Sequence, residues 1–314
     1  MSHLKIAVSG SSGFVGSSVC SALQSTGYEV VKLSRSQGDT ESIISWSPAE
    51  GIKTPSRLSG VDALIHLAGK SIACRWTPGA KQEIRKSRVN ATQILAEQIS
   101  ALDSPPPVII SGSATGIYGS RGDEVLDESA VLGDDYLAMI AQGWESACDP
   151  LKDRGLRVVH PRFSMILSAS GAALQSMLPI FRWCLGGKIG SGNQYWPWIS
   201  LDDCVSGILA SLHRKELHGA INFVAPESVT NAEFTQALAK AIKRPAFLPA
   251  PKFALRLLMG EMADALLLSS CRARPKRLLD AGFEFADPQL ATFLEKTYRV
   301  AKARWAAQKK CGRQ

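Results

Sequence analysis

The chain has 314 residues, of which 45% are hydrophobic and 20% are charged. This composition is typical of a globular protein and excludes a disordered chain, a collagen-like repeat and a coiled coil. The formal net charge is +8, but residues 240–314 alone carry 16 Lys or Arg against 6 Asp or Glu, so the rest of the chain is not basic and a polyanion partner is not indicated there.

Short apolar runs alternate with helical patterns through the first half of the chain. Helices are predicted from apolar residues with helical spacing at Phe14–Ser25, Val89–Leu102 and Ala138–Leu151. Strands are predicted between them, at Lys5–Ser9, Glu29–Leu33, Ala63–Leu67, Val108–Ser111 and Leu156–His160. This alternation predicts an α/β fold with a Rossmann-type, doubly wound parallel sheet.

The pattern changes after Pro161, where a Ser- and Gly-rich stretch is followed by a mainly helical region from Thr230. A short strand and a helix are predicted at Trp198–Leu212, and one return to the main sheet is predicted near 200–224. We therefore expect a sheet domain, a smaller and mainly helical substrate lobe, and a basic tail. Their respective bounds are 1–163 with 199–225, 164–198 with 226–300, and 301–314.

A glycine-rich loop, GSSGFVG at residues 10–16, follows the first predicted strand and opens the first predicted helix. Glycines let the main chain turn sharply and approach a pyrophosphate, and the amides at the start of the helix donate to that anion. The alternative is a glycine-rich turn without a ligand. The residues assigned here to a dinucleotide are Gly10, Ser12, Gly13, Phe14, Val15 and Gly16.

The end of the second strand indicates which dinucleotide binds. An acidic residue at this position is typical of NAD-binding proteins, but here Ser34 and Arg35 follow the strand and no carboxylate occurs before Asp39. Arg35 can pair with the 2′-phosphate of NADP(H) through charge-assisted hydrogen bonds. NADP(H) is therefore favoured over NAD(H), and the alternative is that Arg35 is a solvated surface residue.

Five segments together resemble the extended short-chain dehydrogenase/reductase superfamily: GSSGFVG (10–16), HLAG (66–69), SGSATGIYG (111–119), PRFSMIL (161–167) and WISLDDCV (198–205). Three more are similar to the YfcH-like, or SulA-like, "epimerase family" of NADP-binding oxidoreductases: RWTPGAKQEIRKSR (75–88), LGGKIGSGNQYWPWI (185–199) and ALLLSSCRARPKRLLDAGFEF (265–285). The last segment resembles the C-terminal domain of that family. The resemblance spans nearly the whole chain up to about residue 300.

This resemblance implies further cofactor-binding residues. Glu83 would bind a ribose hydroxyl and Arg88 the phosphates, although both also suit a solvated helix face. Ser111 would end a strand beside the cofactor. The other implied residues line the cofactor after the third strand, at Leu67, Ala68 and Gly69, or pass the nicotinamide, at Pro161, Arg162 and Ile166.

The catalytic residues depart from the superfamily pattern, which has a Tyr with a Lys four residues later. The resemblance assigns Ser113 to the substrate oxygen, but Tyr136 is followed at the fourth position by Ile140. Shifting the alignment by one residue gives Leu137 and Ala141. Without the Lys, Tyr136 is assigned only as a proton donor, and its alternative is a structural role at a helix start.

The substrate side is assigned to residues 185–198, where glycines permit a loop and Trp196 and Trp198 offer flat apolar walls. The alternative is an aromatic hinge between two lobes. Asp202 and Asp203 are assigned to a helix cap.

The lead function is an NADP(H)-binding oxidoreductase or epimerase-like protein whose small polar substrate is a carbonyl or sugar-nucleotide-like compound. The alternative is a non-catalytic NADP(H)-binding regulator or sensor. We expect no metal, no specific nucleic acid and no membrane partner, and a homodimer is compatible with the sequence. Seven scattered Cys without a CxxC pair indicate reduced thiols and a cytoplasmic location.

Overall fold

The computed structural model describes residues 4–35 and 38–311, without the side chains of residues 301 and 303–311. The last three residues of the expected basic tail, 312–314, lie outside the described residues. The strands are β1 Lys5–Ser9, β2 Glu29–Ser34, β3 Ile43–Ser47, β4 Gly51–Ile52, β5 Ala63–His66, β6 Val108–Ser111, β7 Ser113–Ala114, β8 Val125–Leu126, β9 Arg157–Phe163, β10 Met165–Leu167, β11 Trp198–Ser200, β12 Gly219–Phe223 and β13 Arg272–Ala273.

Twelve α-helices accompany these strands in the described part of the chain. They are α1 Phe14–Ser25, α2 Pro78–Arg85, α3 Ala91–Ser100, α4 Tyr136–Ser146, α5 Asp149–Asp153, α6 Ala172–Arg182, α7 Leu201–His213, α8 Asn231–Ile242, α9 Lys252–Met259, α10 Glu261–Ala263, α11 Lys276–Asp280 and α12 Leu290–Cys311. Short π-helical segments occupy Lys86–Asn90 and Asp264–Leu268, and 3₁₀ turns occupy Pro55–Leu58 and Thr115–Tyr118. Among the described residues, no helix is both long and apolar enough to cross a bilayer.

The main sheet has the strand order β12-β9-β6-β5-β1-β2-β3-β4, with β7 also paired to β9. All its pairings are parallel except β3 with β4. The predicted Rossmann-type α/β class is therefore confirmed. Because the strand order reverses between β1 and β5, a ligand crevice is expected at the carboxyl end of these two strands.

Two core layers cover the two faces of this sheet. Ile6 and Val8 of β1 pack on the layer that contains α1 and α7, whereas Ala7 between them packs on the layer that contains α3. Successive strand residues point to opposite faces, so a strand with both faces covered is apolar throughout. This is why KIAVS could be recognised as a central strand from its sequence.

The predictions missed the edge of the sheet and the ends of some helices. Strand β3 has only five residues with alternating serines, a weak pattern. The predicted helix Ala138–Leu151 is instead two helices, with Pro150 in the first turn of α5. Proline lacks the amide that a continuous helix would need there. The predicted helix Val89–Leu102 is the second half of a longer helical run that begins at Pro78.

The smaller lobe has its own core and is fastened to the sheet domain by a buried carboxylate. Its core joins α6 and the strand at Trp198 with α8 and the start of α12. Ser200 caps α7 by accepting the amide of Asp203 at 3.0 Å. The carboxylate of Asp203 also accepts the amides of Ala286 and Asp287, at 2.7 and 3.0 Å. The residue assigned to a helix cap therefore holds the C-terminal chain against α7.

Two histidines are buried in the sheet domain. His66 shares hydrogen bonds with Ser9 at 2.6 Å and with Thr92 at 3.0 Å, and so connects β1, β5 and α3 below the glycine loop. His160 is 2% exposed in β9, and no hydrogen bond reaches its ring from the described residues. Burial lowers the pKa of each histidine to about 4.

Acidification is expected to destabilise the fold through these two histidines. Their folded pKa values lie below the ordinary value of 6.5, so the unfolded chain binds protons first and stability is lost as the pH falls from about 6.5 towards 4. Each histidine contributes a loss of about 2 kcal/mol between pH 7 and pH 5. Urea unfolding at the two pH values measures this loss.

His66→Gln should remove about half of that pH dependence, and His218→Gln, at an exposed position, should leave it unchanged. Equal pH dependence in all three proteins would contradict the assignment.

Candidate functional site

The glycine loop lies at the predicted crevice and has space only for backbone. Gly10 has a φ of +70°, and a Cβ there would lie 2.8 Å from the carbonyl carbon of Leu67. A Cβ on Gly16 would lie 2.1 Å from the carbonyl oxygen of Gly10. Gly13 begins α1 with no side-chain cap and no acidic residue in the first turn. The first amides of this twelve-residue helix are therefore a suitable cradle for a pyrophosphate.

Arg35 follows β2 at the same edge of the sheet. The parallel register places Leu33 opposite Ser9, so Ser34 and Arg35 continue beside the start of the glycine loop. Arg35 is exposed. Its guanidinium is therefore accessible to a ligand on that loop, which is what a role in binding the 2′-phosphate requires.

The chain after β5 forms the next part of the crevice, together with Arg88. This arginine lies in the π-helical segment, an irregularity that often marks functional sites. It donates to the carbonyl oxygen of Lys70 at 2.7 Å, and its guanidinium stacks 5.2 Å from the ring centre of Trp144. A Cβ on Gly69 would lie 3.2 Å from that guanidinium, so a glycine leaves the room that Arg88 needs. Burial lowers the pKa of Arg88.

Glu83 does not join this group in the structure. Its carboxylate is about half exposed on α2 and lies 3.9 Å from the ammonium of Lys86. It is not among the residues that line the crevice. The alternative interpretation, a solvated helix face, therefore describes Glu83 but not Arg88.

A cleft of about 620 Å³ extends from this crevice to the smaller lobe, and we call it the central cleft. Its sheet-domain side includes Val15, Leu67, Arg88 and Ser113. Its lobe side is lined by Met165, Met177, Tyr195, Trp196, Pro197, Met259, Met262, Ala265, Leu266 and Leu267. The volume falls within the usual range for a small-molecule site.

Ser113 is fixed by a buried ion pair. Its hydroxyl donates to Glu145 at 2.7 Å, and Arg162 donates to both carboxylate oxygens of Glu145, at 2.8 and 2.9 Å. Burial opposes the charged form of Glu145, but the hydrogen bonds and charge of Arg162 outweigh it and hold its pKa below the ordinary value. Glu145 was not identified from the sequence, where it appears as an ordinary helix residue.

The same arginine connects this pair to the smaller lobe. Arg162 donates to the hydroxyl of Tyr118 at 2.9 Å, and Tyr118 donates to Asn222 at 2.7 Å. Asn222 in turn donates to the carbonyl oxygen of Arg274 at 2.9 Å. Burial raises the pKa of Tyr118 to about 12, so this phenol stays protonated and acts as a link between the lobes.

Tyr136 is held away from the position of a proton donor. Its hydroxyl donates to the carbonyl oxygen of Lys81 at 2.9 Å, its ring lies edge-on to Trp76, and it does not line the central cleft. The residues of α4 that do line the cleft include Leu137 and Ala141, four positions apart. Ile140, the fourth residue after Tyr136, lines the cleft as well, so neither alignment of α4 places an acid or a base in the cleft lining.

Four other expected cofactor residues lie beside the cleft rather than in its lining. Ser111 is 1% exposed and lines a small internal cavity against α3 and α5. Pro161 and Ile166 belong to β9 and β10, and Arg162 is committed to the ion pair. The part of this segment that lines the cleft is Phe163, Ser164 and Met165. Because successive residues of a strand point to opposite faces, the residues next to these point into the core instead of the cleft.

The expected substrate segment is divided between cleft and core. Tyr195 and Trp196 line the cleft, and the indole nitrogen of Trp196 donates to the carbonyl oxygen of Leu267 at 3.2 Å. Trp198 is fully buried, with its ring centre 5.5 Å from that of Phe293. Both rings belong to the core of the smaller lobe, so this contact is not a hinge between the lobes. The lobe-side wall of the cleft from the end of α9 to Leu267 was not predicted from the sequence. Its methionines and leucines have the pattern of any core helix.

The chain is similar to known proteins along nearly its whole length. A family model described as "NAD dependent epimerase/dehydratase family" matches residues 6–223, and one described as "Domain of unknown function (DUF1731)" matches residues 250–297. The epimerase family protein Mb2239 of Mycobacterium bovis is 38% identical over 286 residues, which cover 91% of this chain and 94% of that protein.

Human relatives give the same result in sequence and in structure. The human epimerase family protein SDR39U1 is 33% identical over 296 residues, which cover 93% of this chain and 99% of that protein. A crystal structure of human SDR39U1 (isoform 2) with NADPH has a TM-score of 0.84 and 32% identity to this chain, covering 94% of this chain and 99% of the other.

Gly16→Ala should weaken dinucleotide binding at least tenfold, because its Cβ would press on the carbonyl of Gly10 and open the cradle. Gly79→Ala is the matched control, since its Cβ would meet nothing within 4 Å in helix α2. Fluorescence titration with the dinucleotide measures both dissociation constants. Unchanged binding by Gly16→Ala would show that the loop is only a turn.

Glu145→Gln should lower the free energy of unfolding by about 3 kcal/mol, because it leaves Arg162 buried without a counter-charge. Glu124→Gln is the control, since Glu124 also binds Arg121 through two hydrogen bonds but on the surface. Its loss should stay below about 1 kcal/mol. Urea unfolding compares the two variants, and similar losses would refute the special role of the buried pair.

Proposed function

The chain belongs to the NAD-dependent epimerase/dehydratase family, and from this premise we propose that it is an NADP(H)-dependent oxidoreductase of an atypical extended short-chain dehydrogenase/reductase type. The observation that carries the proposal is the glycine cradle at the mouth of the central cleft. The cradle admits a dinucleotide phosphate, and the cleft places a substrate beside the same crevice. The likeness to a human protein crystallised with NADPH supports this cofactor.

The residues of this chain divide the task of holding the cofactor. The first amides of α1 would bind the pyrophosphate, and Arg35 the 2′-phosphate. Arg88, stacked on Trp144, would face the middle of the cofactor beside Leu67. When bound, NADPH supplies a hydride, and the protein orients the two reactants. Ser113 lines the cleft, and to hold a carbonyl oxygen there its hydroxyl hydrogen would turn from Glu145 to that oxygen.

A non-catalytic NADP(H)-binding protein is the second candidate. The observation that favours it is that α4 contributes only Leu137, Ile140, Ala141 and Trp144 to the cleft lining, and none of these is an acid or a base. Both candidates need the same cofactor, so turnover separates them. A cytoplasmic location and a homodimer stay predictions.

Arg35→Ala should raise the dissociation constant for NADPH at least tenfold and change that for NADH less than twofold, because Arg35 would contact only the 2′-phosphate. Lys152→Ala is the control, since α5 precedes β9 and lies at the opposite edge of the sheet. Cofactor-fluorescence titration measures the four constants. Equal weakening for both cofactors would contradict the assignment of Arg35.

Turnover is tested by following NADPH oxidation with a panel of carbonyl compounds. We expect oxidation with at least one member of the panel and a fall of at least tenfold in kcat for Ser113→Ala, with the dissociation constant for NADPH unchanged. Tight NADPH binding without any turnover would favour the non-catalytic candidate. Absence of NADPH binding would refute both.

A further inference from the structure

The lobe side of the central cleft is a methionine-rich apolar wall. Four of the six methionines in the chain line this cleft: Met165, Met177, Met259 and Met262. Methionine is flexible and polarisable, so it adapts to apolar ligands and packs well on aromatic rings. The aromatic rings of Tyr195 and Trp196 lie in the same wall. The wall therefore fits a flat apolar molecule.

Charge is confined to the other end of the cleft. Arg88 is the one charged side chain that lines the cleft in the described part of the chain, and it lies on the nucleotide side beside Gly69. The lobe side has neutral hydroxyls instead, on Tyr195 and Ser269, whereas the hydroxyls of Ser164 and Ser176 donate to backbone carbonyl oxygens. A nucleoside-diphosphate sugar would place a doubly charged pyrophosphate against a lobe-side lining that has no cation, which is costly, since Arg272 stacks on the ring of Tyr195 but does not itself line the cleft. Neutral hydroxyls suit carbonyl oxygens.

The lack of an acid or a base on α4 in the cleft lining further restricts the class of substrate that can react there. Hydride addition to an isolated ketone gives an alkoxide, a strong base that must take a proton at once. The α4 residues that line the cleft supply none, and in this structure the hydroxyl of Ser113 donates to Glu145. The phenol of Tyr195 belongs to the lobe-side wall and not to α4. Hydride addition to a quinone gives a quinol anion instead, whose charge spreads over the ring. That anion is stable enough to take its proton from water.

We propose that the substrate of the central cleft is an apolar quinone, and this rests on the proposed NADP(H)-dependent function. The quinone accepts one hydride from NADPH, that is, one proton together with two electrons, and NADPH becomes NADP⁺. The quinol anion then takes one proton from water to give the quinol. The segment 259–267, within the domain of unknown function, thereby acquires a role as the wall that selects an apolar ring.

The test uses 2-methyl-1,4-naphthoquinone, with UDP-glucose and glyceraldehyde as polar comparisons. NADPH binding to the free protein is measured first by fluorescence titration. Quinone binding to the NADP⁺-saturated protein is measured by calorimetry, and NADPH oxidation is followed for each acceptor. We expect quinone binding and turnover at a kcat/KM at least 100-fold above that for either polar compound.

Met262→Glu places a charge on the half-buried wall and should raise the KM and the dissociation constant for the quinone at least tenfold. Its dissociation constant for NADPH should change less than twofold. Met262→Leu, which keeps an apolar side chain at this position, should bind the quinone as the unmodified protein does. Leu257→Glu is the matched control, on α9 but 85% exposed and outside the cleft lining, and it should change none of these constants.

The outcomes separate this inference from the proposed function. Absence of NADPH binding refutes the proposed function itself. Intact NADPH binding with no quinone binding, or with preferred turnover of a polar compound, refutes the quinone assignment alone. Quinone binding that Met262→Glu leaves unchanged places the quinone elsewhere and refutes the role of this wall.

Discussion

The buried ion pair between Glu145 and Arg162 is the interaction on which the central cleft depends. Glu145 accepts the hydroxyl of Ser113, and Arg162 reaches through Tyr118 to Asn222 and the smaller lobe. This one ion pair therefore holds Ser113 in the cleft and also connects the sheet domain to the smaller lobe on the other side of the cleft. A buried pair of this kind stabilises little by itself, but removing either partner leaves a charge without compensation.

The position of this pair explains why the cleft is both polar at its floor and apolar elsewhere. The charges of Glu145 and Arg162 neutralise each other behind Ser113. Arg88 donates to the carbonyl oxygen of Lys70 and stacks on the ring of Trp144. The helix α4 that carries Glu145 presents Leu137 and Ala141 to the cleft. In the described part of the chain, Arg88 is therefore the one charged side chain left in the cleft lining.

The positions of several candidate site residues were predictable because they follow from local backbone structure. The glycine loop and Arg35 occur at a strand end, where position along the sequence fixes position in space. Tyr136, Glu83 and Ser111 were assigned from spacing and resemblance, yet the structure turns each away from the cleft. A one-residue change in helix or strand phase redirects a side chain entirely, and the sequence pattern does not define that phase.

The sequence by itself determined the α/β class, the positions of the central strands along the chain and the position of the glycine loop, because buried parallel strands and glycine turns have strong local patterns. Only the tertiary structure decided which face of α4 meets the cleft and that Glu145 pairs with Arg162. It also decided that the wall from Met259 to Leu267 lies opposite Ser113. These facts depend on contacts between residues far apart in the chain, which periodicity and composition do not encode.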